Sequence, residues 1–122
     1  MKYLCLVYGE ERAIQDCPDE HCVEFDASVR ASGHCLASEA LQPISTATTV
    51  RVRNGKVSIT DGPFAETKEQ LAGFYMIEAK DLNEAIQVAA KIPPAEVGSI
   101  EVRPIRPIRE TVKAGAAKAA AD

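Results

Sequence analysis

Short runs of apolar residues along the chain predict its strands. Residues 2–8 and 71–79 are too short for core helices and carry apolar side chains on both alternating faces. Such a pattern is typical of central strands that are covered on both sides. Residues 34–41 and 98–103 are predicted to be two further strands.

Apolar residues spaced three and four positions apart predict two helices. The first runs from Pro18 to about Ser32, because proline is tolerated in the first helical turn. The second follows Asp81, which can cap a helix together with Glu84 in a capping box. The predicted buried stripes are Cys22, Phe25 and Val29 in the first helix, and Leu82, Ala85, Ile86, Ala89 and Ile92 in the second.

An Asn-Gly dipeptide within residues 49–60 predicts a β-hairpin. Asn-Gly between two alternating runs is the preferred composition of a two-residue type I′ turn. Counting outward from the turn pairs Val52 with Val57 and Val50 with Ile59. One face of the hairpin is therefore expected to be buried and the other to face water.

The order of the predicted elements indicates an α+β sandwich of the ferredoxin-like kind. Two helices cover only one face of such a sheet, yet residues 2–8 and 71–79 are apolar on both faces. A second copy of the same sheet is the simplest cover for the remaining face. We therefore predict a homodimer packed sheet to sheet, with one domain at residues 1–107 and a flexible alanine- and lysine-rich tail at residues 108–122.

Composition and charge narrow the class of function. The 122 residues include 46% hydrophobic and 26% charged residues, which is typical of one globular domain. The formal net charge of -4 argues against a nucleic-acid partner, because phosphate binding requires clustered Lys and Arg. The apolar run at the N-terminus is too short for a signal peptide or a membrane span. We expect a cytoplasmic protein with no membrane partner.

The cysteines are expected to remain free thiols. A reducing compartment disfavours disulfides, so none is predicted among Cys5, Cys17, Cys22 and Cys35. The spacing of Cys17 and Cys22 matches no common zinc pattern, and no metal is expected. Cys17 lies near a predicted helix N-terminus that could activate its thiol, although an inert thiol is the simpler interpretation. The sequence has no phosphate-binding glycine loop or dinucleotide fingerprint, so no cofactor is expected.

Residues 61–70 break both periodicities and are predicted to be a loop that carries the candidate chemistry. Asp61 can bond the amides that follow it, Gly62 permits a positive φ and Pro63 fixes φ, as in an Asx-type turn. Phe64 is then expected to pin the loop into the core.

A turn of this kind could hold a carboxylate and an ammonium group at a cleft for acid-base chemistry or ligand binding. Asp61 is the candidate acid-base residue, and the candidate ligand-binding residues are Phe64, Glu66, Lys68 and Glu69. The alternative is a solvated loop whose salt bridges contribute about 0 to 1 kcal/mol each.

Thr60-Asp61-Gly62-Pro63-Phe64-Ala65-Glu66-Thr67-Lys68-Glu69 is followed by Gly73-Phe74-Tyr75. This sequence resembles the DGPF-domain branch of the YCII-related proteins, and the resemblance extends from Lys2 to about Pro107. The resemblance implies a small bacterial protein with the dimeric α+β barrel fold.

The resemblance also implies a site. YCII-related proteins are thought to hold a His/Asp pair in a cleft, with the histidine near the start of the first helix. It indicates His21 as the catalytic candidate beside Asp61, although the family's position falls nearer Cys22, and His34 is a less suitable alternative. A few relatives act as lyases or dehydrochlorinases on small cyclic compounds. The DGPF proteins are often encoded near extracytoplasmic-function sigma factors, which implies a functional link.

Two functions are compatible with these patterns, and the sequence leaves open whether the protein is an enzyme. The first is a noncatalytic homodimer that binds an unidentified small molecule in the cleft between sheet and helices, in a sigma-factor-linked pathway. The alternative is a lyase or isomerase that moves a proton with Asp61 as the acid-base group.

Overall fold

The computed structural model describes residues 1–110 and residue 112. Most of the predicted tail, residues 111 and 113–122, lies outside the described residues. The elements between residues 1 and 107 are β1 (Lys2–Gly9), α1 (Glu11–Gln15), α2 (Asp19–Ala31), β2 (Cys35–Ala40), β3 (Thr48–Arg53), β4 (Lys56–Asp61), β5 (Gln70–Glu78), α3 (Leu82–Ala89) and β6 (Ser99–Pro104). Short 3₁₀ helices lie at Ile44–Thr46 and Pro93–Glu96. Within the described ranges, no helix has the length and apolarity that crossing a membrane requires.

Four strands form an antiparallel sheet in the order β2-β5-β1-β6, while β3 and β4 form a separate two-stranded hairpin. This α+β arrangement is compatible with the predicted ferredoxin-like fold. β1 and β5 are the two middle strands of the larger sheet, which confirms the prediction that they are central strands.

One face of the larger sheet is covered by α2 and α3. Tyr3, Cys5 and Val7 alternate along β1 on this face and are buried together with Ile77 of β5. Val29 is the buried residue of α2, as its place in the predicted stripe implies. The hydrophobic core therefore lies between this side of the sheet and the two helices.

The predicted buried stripe of α3 is wrong at two positions. Leu82 and Ile86 are about half exposed, whereas Ala85 and Ala89 are buried against the sheet. The reason is that α3 has 8 residues and contacts the sheet through its small side chains, so its larger apolar side chains face outward. Its beginning agrees with the prediction, because Oδ1 of Asp81 accepts a hydrogen bond from the backbone N–H of Glu84 at 2.9 Å.

α1 replaces part of the polar loop that the sequence predicts before α2. This helix has 5 residues, no buried residue and no side-chain cap, so it leaves no periodic signal in the sequence. Ile14, near its end, nevertheless packs against the hydrophobic core.

The hairpin confirms the predicted register but not the predicted burial. Val50 pairs with Ile59 and Val52 with Val57. These four side chains are 57% to 68% exposed, so the expectation that one face is buried is wrong. An alternating pattern shows that one face is apolar, but it does not supply a surface within the same chain to cover it.

The face of the larger sheet opposite α2 and α3 is termed here the open face and comprises Leu4, Leu6, Tyr8, Phe74 and Met76. Each of these side chains is only partly buried. Leu4 lies opposite Met76 and Leu6 lies opposite Phe74, so β1 and β5 form an apolar strip along its middle.

Candidate functional site

A cavity of about 380 Å³ lies on the helix side of the sheet. It is bounded by β1 and β5 on one side and by α1 and α2 on the other. Its walls combine apolar side chains with a cluster of polar and thiol groups, chiefly Val7, Ile14, Val23, Pro94, Cys17, Cys22, Asp26, Arg30, Ser38 and Tyr75. We term this space the helix-side cavity.

Three polar side chains form a hydrogen-bonded network at this cavity. Ser38 Oγ on β2 donates to Oδ1 of Asp26 on α2 at 2.6 Å. Arg30 Nε donates to the other oxygen, Oδ2, at 2.9 Å, and Arg30 Nη2 donates to Ser38 Oγ at 3.1 Å. Both oxygens of the carboxylate are thus fixed by donors from two different elements.

The network keeps Asp26 ionised. The hydrogen bond from Ser38 is the largest cause and lowers the pKa of Asp26 from 3.8. Desolvation opposes this effect, and the hydrogen bond and charge of Arg30 lower the pKa further. At neutral pH the carboxylate of Asp26 therefore places a negative charge at a fixed position in the cavity wall, beside the Arg30 guanidinium.

Tyr75 on β5 brings an aromatic ring and a hydroxyl to the same wall. Its ring packs edge-on against Phe25 of α2, with centroids 5.2 Å apart and an interplanar angle of 83°. Burial raises the pKa of Tyr75 to about 12, and the nearby Cys22 and Asp26 add to the effect. The hydroxyl is therefore protonated at neutral pH and can donate a hydrogen bond.

Two thiols complete the polar side of the helix-side cavity. Cys17 and Cys22 are both partly exposed and both line the cavity. Burial raises the pKa of Cys22, and the neighbouring Cys17 raises it further. Among the described residues, no group of three or more His, Cys, Asp or Glu side chains is placed to hold a metal ion.

The structure places Asp61 and His21 outside the helix-side cavity. Asp61 is exposed at the end of β4, and His21 is exposed on α2. Neither belongs to the residues that line the cavity. The turn after Asp61 is held by its backbone, because Gly62 N donates to Ala47 O at 2.7 Å and Thr49 Oγ1 donates to Gly62 O at 2.8 Å.

The expectation that Phe64 enters the core is wrong, since its side chain is 79% exposed. The backbone bonds of Gly62 attach the turn to the hairpin, which lies apart from the larger sheet. Phe64 instead lines a second cavity of about 530 Å³, together with Tyr8, Ile44 and Leu71.

The charged residues of the same loop do not converge on one site. Glu66 is exposed. Lys68 Nζ lies 3.8 Å from Glu10 Oε1, and both side chains are largely in solvent. Glu69 accepts a hydrogen bond from Ser99 Oγ at 2.7 Å and so links the loop to β6. The Glu69 bond therefore fixes the end of the loop beside β6, whereas an exposed pair such as Lys68–Glu10 contributes little.

The sequence patterns did not indicate Asp26, Ser38 or Tyr75 as site residues. One signal was available for Asp26. It lies four positions after Cys22, so helical periodicity places a carboxylate on the same side of α2 as the predicted buried stripe. Ser38 and Tyr75 come from paired strands, and only the register of β2 and β5 brings them opposite each other.

Comparisons with known proteins identify a family. Residues 1–109 match the family model described as the YCII-related domain. An uncharacterized protein of Rhizobium meliloti (strain 1021) is 48% identical over 67 residues. That match covers 53% of this chain and 54% of the relative, so the chain spans about half the length of the relative it matches.

Proposed function

The chain belongs to the YCII-related family, and from that premise we propose that it is a homodimer that binds a small molecule in the helix-side cavity. The observation that carries the proposal is the network of Asp26, Arg30 and Ser38 beside apolar walls. The cavity volume of about 380 Å³ falls within the roughly 300–1,000 Å³ of ligand pockets.

The groups that face the cavity define the chemistry of the ligand. Asp26 offers carboxylate oxygens to a hydroxyl or an amino group, and it is already held in place by Ser38 and Arg30. The Arg30 guanidinium and the Tyr75 hydroxyl offer donors to a carbonyl or hydroxyl oxygen. Val7 and Ile14 suit an apolar ring or short chain. A small hydroxylated cyclic compound fits all of these groups.

The open face supports the proposed dimer. Its apolar strip is flanked on β6 by charged residues, since Glu101 lies opposite Leu6 and Arg103 lies opposite Leu4. An apolar centre with a charged rim is the usual anatomy of a protein interface. We propose that the open faces of two copies pack together as a dimeric α+β barrel, related by a two-fold axis.

We also propose that the chain belongs to the DGPF branch of the family. The Asp-Gly-Pro-Phe sequence at residues 61–64 supports it. The bonds of Gly62 to Ala47 and Thr49 favour a structural role for this turn over an acid-base role for Asp61. Binding without catalysis is therefore the function that the geometry supports best.

A ligand screen tests the proposed cavity. Small hydroxylated cyclic compounds are screened by thermal shift, and the dissociation constant of each hit is measured by calorimetry. Asp26→Asn removes the charge, and we expect binding about 10- to 100-fold weaker because hydrogen bonds to charged groups contribute about 1.5–3 kcal/mol. Val23→Trp adds bulk at an exposed part of the cavity wall and is expected to abolish binding.

Two neighbouring variants serve as controls. Glu24→Gln and Glu24→Trp change an exposed residue of α2 that does not line the cavity, and both are expected to bind like the parent protein. If a hit binds equally well to Asp26→Asn and Val23→Trp, the ligand lies elsewhere and the proposed cavity is wrong.

Sedimentation equilibrium tests the proposed dimer. Leu6→Lys places a charge in the middle of the open face and is expected to give a folded monomer, as circular dichroism would verify. Val57→Lys places the same charge on the exposed hairpin and is expected to leave the dimer intact. A parent protein that sediments as a monomer at micromolar concentration would contradict the proposal.

A further inference from the structure

Two cysteines occupy a paired position at the beginning of α2. Pro18 is the N-cap of this helix, so Cys17 is the residue before the cap and Cys22 is the fourth residue inside the helix. Side chains at these two positions pack against each other in the hydrophobic staple. Here both members of the staple are thiols.

The two cysteines are neighbours at the start of α2. Burial raises the pKa of Cys22, and the charge of Cys17 and a hydrogen bond with it raise this pKa further. Both side chains are free and partly exposed, and both line the helix-side cavity. An oxidant that enters the cavity reaches the two sulfur atoms together. The pair lies on the helix side of the sheet and is remote from the proposed dimer surface.

We propose that Cys17 and Cys22 form a reversible dithiol–disulfide site whose oxidant is hydrogen peroxide. The Cys17 thiolate attacks one peroxide oxygen, the O–O bond breaks, and the released hydroxide takes a proton to form water. Cys17 is now a sulfenic acid. The Cys22 sulfur, after losing its proton, attacks the Cys17 sulfur, the S–O bond breaks, and a second water leaves. Two thiols lose two electrons and two protons, and one peroxide becomes two waters.

The position of each cysteine assigns its role. Cys17 lies just before the N-cap of the 13-residue helix α2, at the end of the helix dipole that carries partial positive charge, so we assign it the attacking role. Cys22 lies within the helix, where burial raises its pKa, and it acts as the resolving residue. The disulfide would tie residues 16–18 to α2 and remove both thiol hydrogens from the cavity wall.

Cys35 and Cys5 provide matched comparisons. Cys35 on β2 is also partly exposed, so it controls for accessibility alone. Cys5 is completely buried, and burial raises its pKa to about 11, with Cys35 adding to the effect. Cys5 should therefore resist oxidants in the folded protein.

Peptide mapping tests the proposal directly. Tryptic cleavage after Arg12 and Arg30 releases residues 13–30, which contain Cys17 and Cys22, while Cys35 lies in a separate peptide of residues 31–51. The reduced full chain is treated with stoichiometric hydrogen peroxide, alkylated, digested and analysed by mass spectrometry. We expect peptide 13–30 to be lighter by two hydrogen atoms, to lose both alkylation sites, and to recover them after dithiothreitol.

The variants separate this site from general thiol oxidation. Cys17→Ser and Cys22→Ser should each abolish the change in peptide 13–30, and Cys35→Ser should leave it intact. Three results would overturn the proposal: full alkylation of peptide 13–30 after peroxide, a cross-link between Cys22 and Cys35, or a stable sulfenic or sulfinic acid at Cys17 without a disulfide. The measurement requires no ligand, so its outcome is independent of the proposed function.

Discussion

The middle of the larger sheet and the β3–β4 hairpin are both antiparallel strand pairs rich in apolar residues, but their surroundings differ. Ile77 of β5 is fully buried beneath the helices, whereas Ile59 of β4 is 68% exposed. Both strand pairs follow regular registers, with one irregularity between Val7 and Tyr8 in the β1–β5 pair. The comparison shows that a turn sequence can fix a register without providing burial, because burial depends on what the rest of the chain places over the strand.

The largest expected difference in the free energy of unfolding comes from replacing an isoleucine with alanine in each region. Ile77→Ala leaves a cavity in the core and should lower the free energy of unfolding by about 2–5 kcal/mol. Ile59→Ala removes exposed surface and should change it by less than about 0.5 kcal/mol. Urea denaturation monitored by circular dichroism measures both values. Equal losses in the two variants would show that the hairpin is packed in solution.

A glycine replacement in each region gives the next largest difference. A Cβ at Gly98 would overlap the backbone carbonyl oxygen of Tyr8, so Gly98→Ala should cost about 1–3 kcal/mol. Gly55 in the hairpin turn has a φ of 75° and open space around it. Gly55→Ala should strain the turn by about 1–2 kcal/mol.

The two glycine variants should differ in how far the damage extends. The Gly55→Ala strain is expected to open the hairpin locally, without an equal loss in global stability, because the hairpin is separate from the larger sheet. Hydrogen exchange would then speed up in β3 and β4 alone. A parallel loss of protection in β1 would contradict this independence.

The smallest expected effect concerns the attachment of α2 to the sheet through Asp26 and Ser38. Folding lowers the pKa of Asp26 from 3.8. The ionised carboxylate therefore contributes fully to the free energy of unfolding above pH 3.8, and this contribution is lost as the pH falls through the lower pKa of the folded protein. Asp26→Asn should therefore cost about 0 to 1 kcal/mol at neutral pH, since the group is partly exposed, and the cost should shrink below about pH 4.

Urea denaturation across this pH range measures the Asp26 effect. Glu24→Gln, which removes an exposed carboxylate from the same helix, is the control. A constant difference between the parent protein and Asp26→Asn from neutral to acidic pH would mean that the carboxylate does not act through its charge.

Local sequence was sufficient to predict most elements of the fold. The Asn54-Gly55 turn set the hairpin pairs correctly, and both positions have the positive φ angles that such a turn requires. α2 and the cap of α3 also follow the prediction, because their signals lie within a few neighbouring residues. α1 was not predicted, since a helix of 5 residues is too short to show periodicity.

The candidate site was harder to predict for a physical reason. Asp26 and Ser38 are separated by 12 positions, and their hydrogen bond exists only because α2 packs against β2. The loop at residues 61–70 has the more distinctive sequence, yet its side chains are exposed or bound to separate partners. A distinctive local sequence therefore identified the family but not the cavity.

The hairpin tip has a practical consequence for attaching probes to this protein. Its Asn-Gly turn is exposed, and the nearby strands contribute no side chain to the helix-side cavity. Exposed turns of this kind are the sites where inserted peptides are best tolerated. A peptide epitope or a labelling tag inserted between Asn54 and Gly55 would allow the protein to be detected without changing its hydrophobic core or its cysteines.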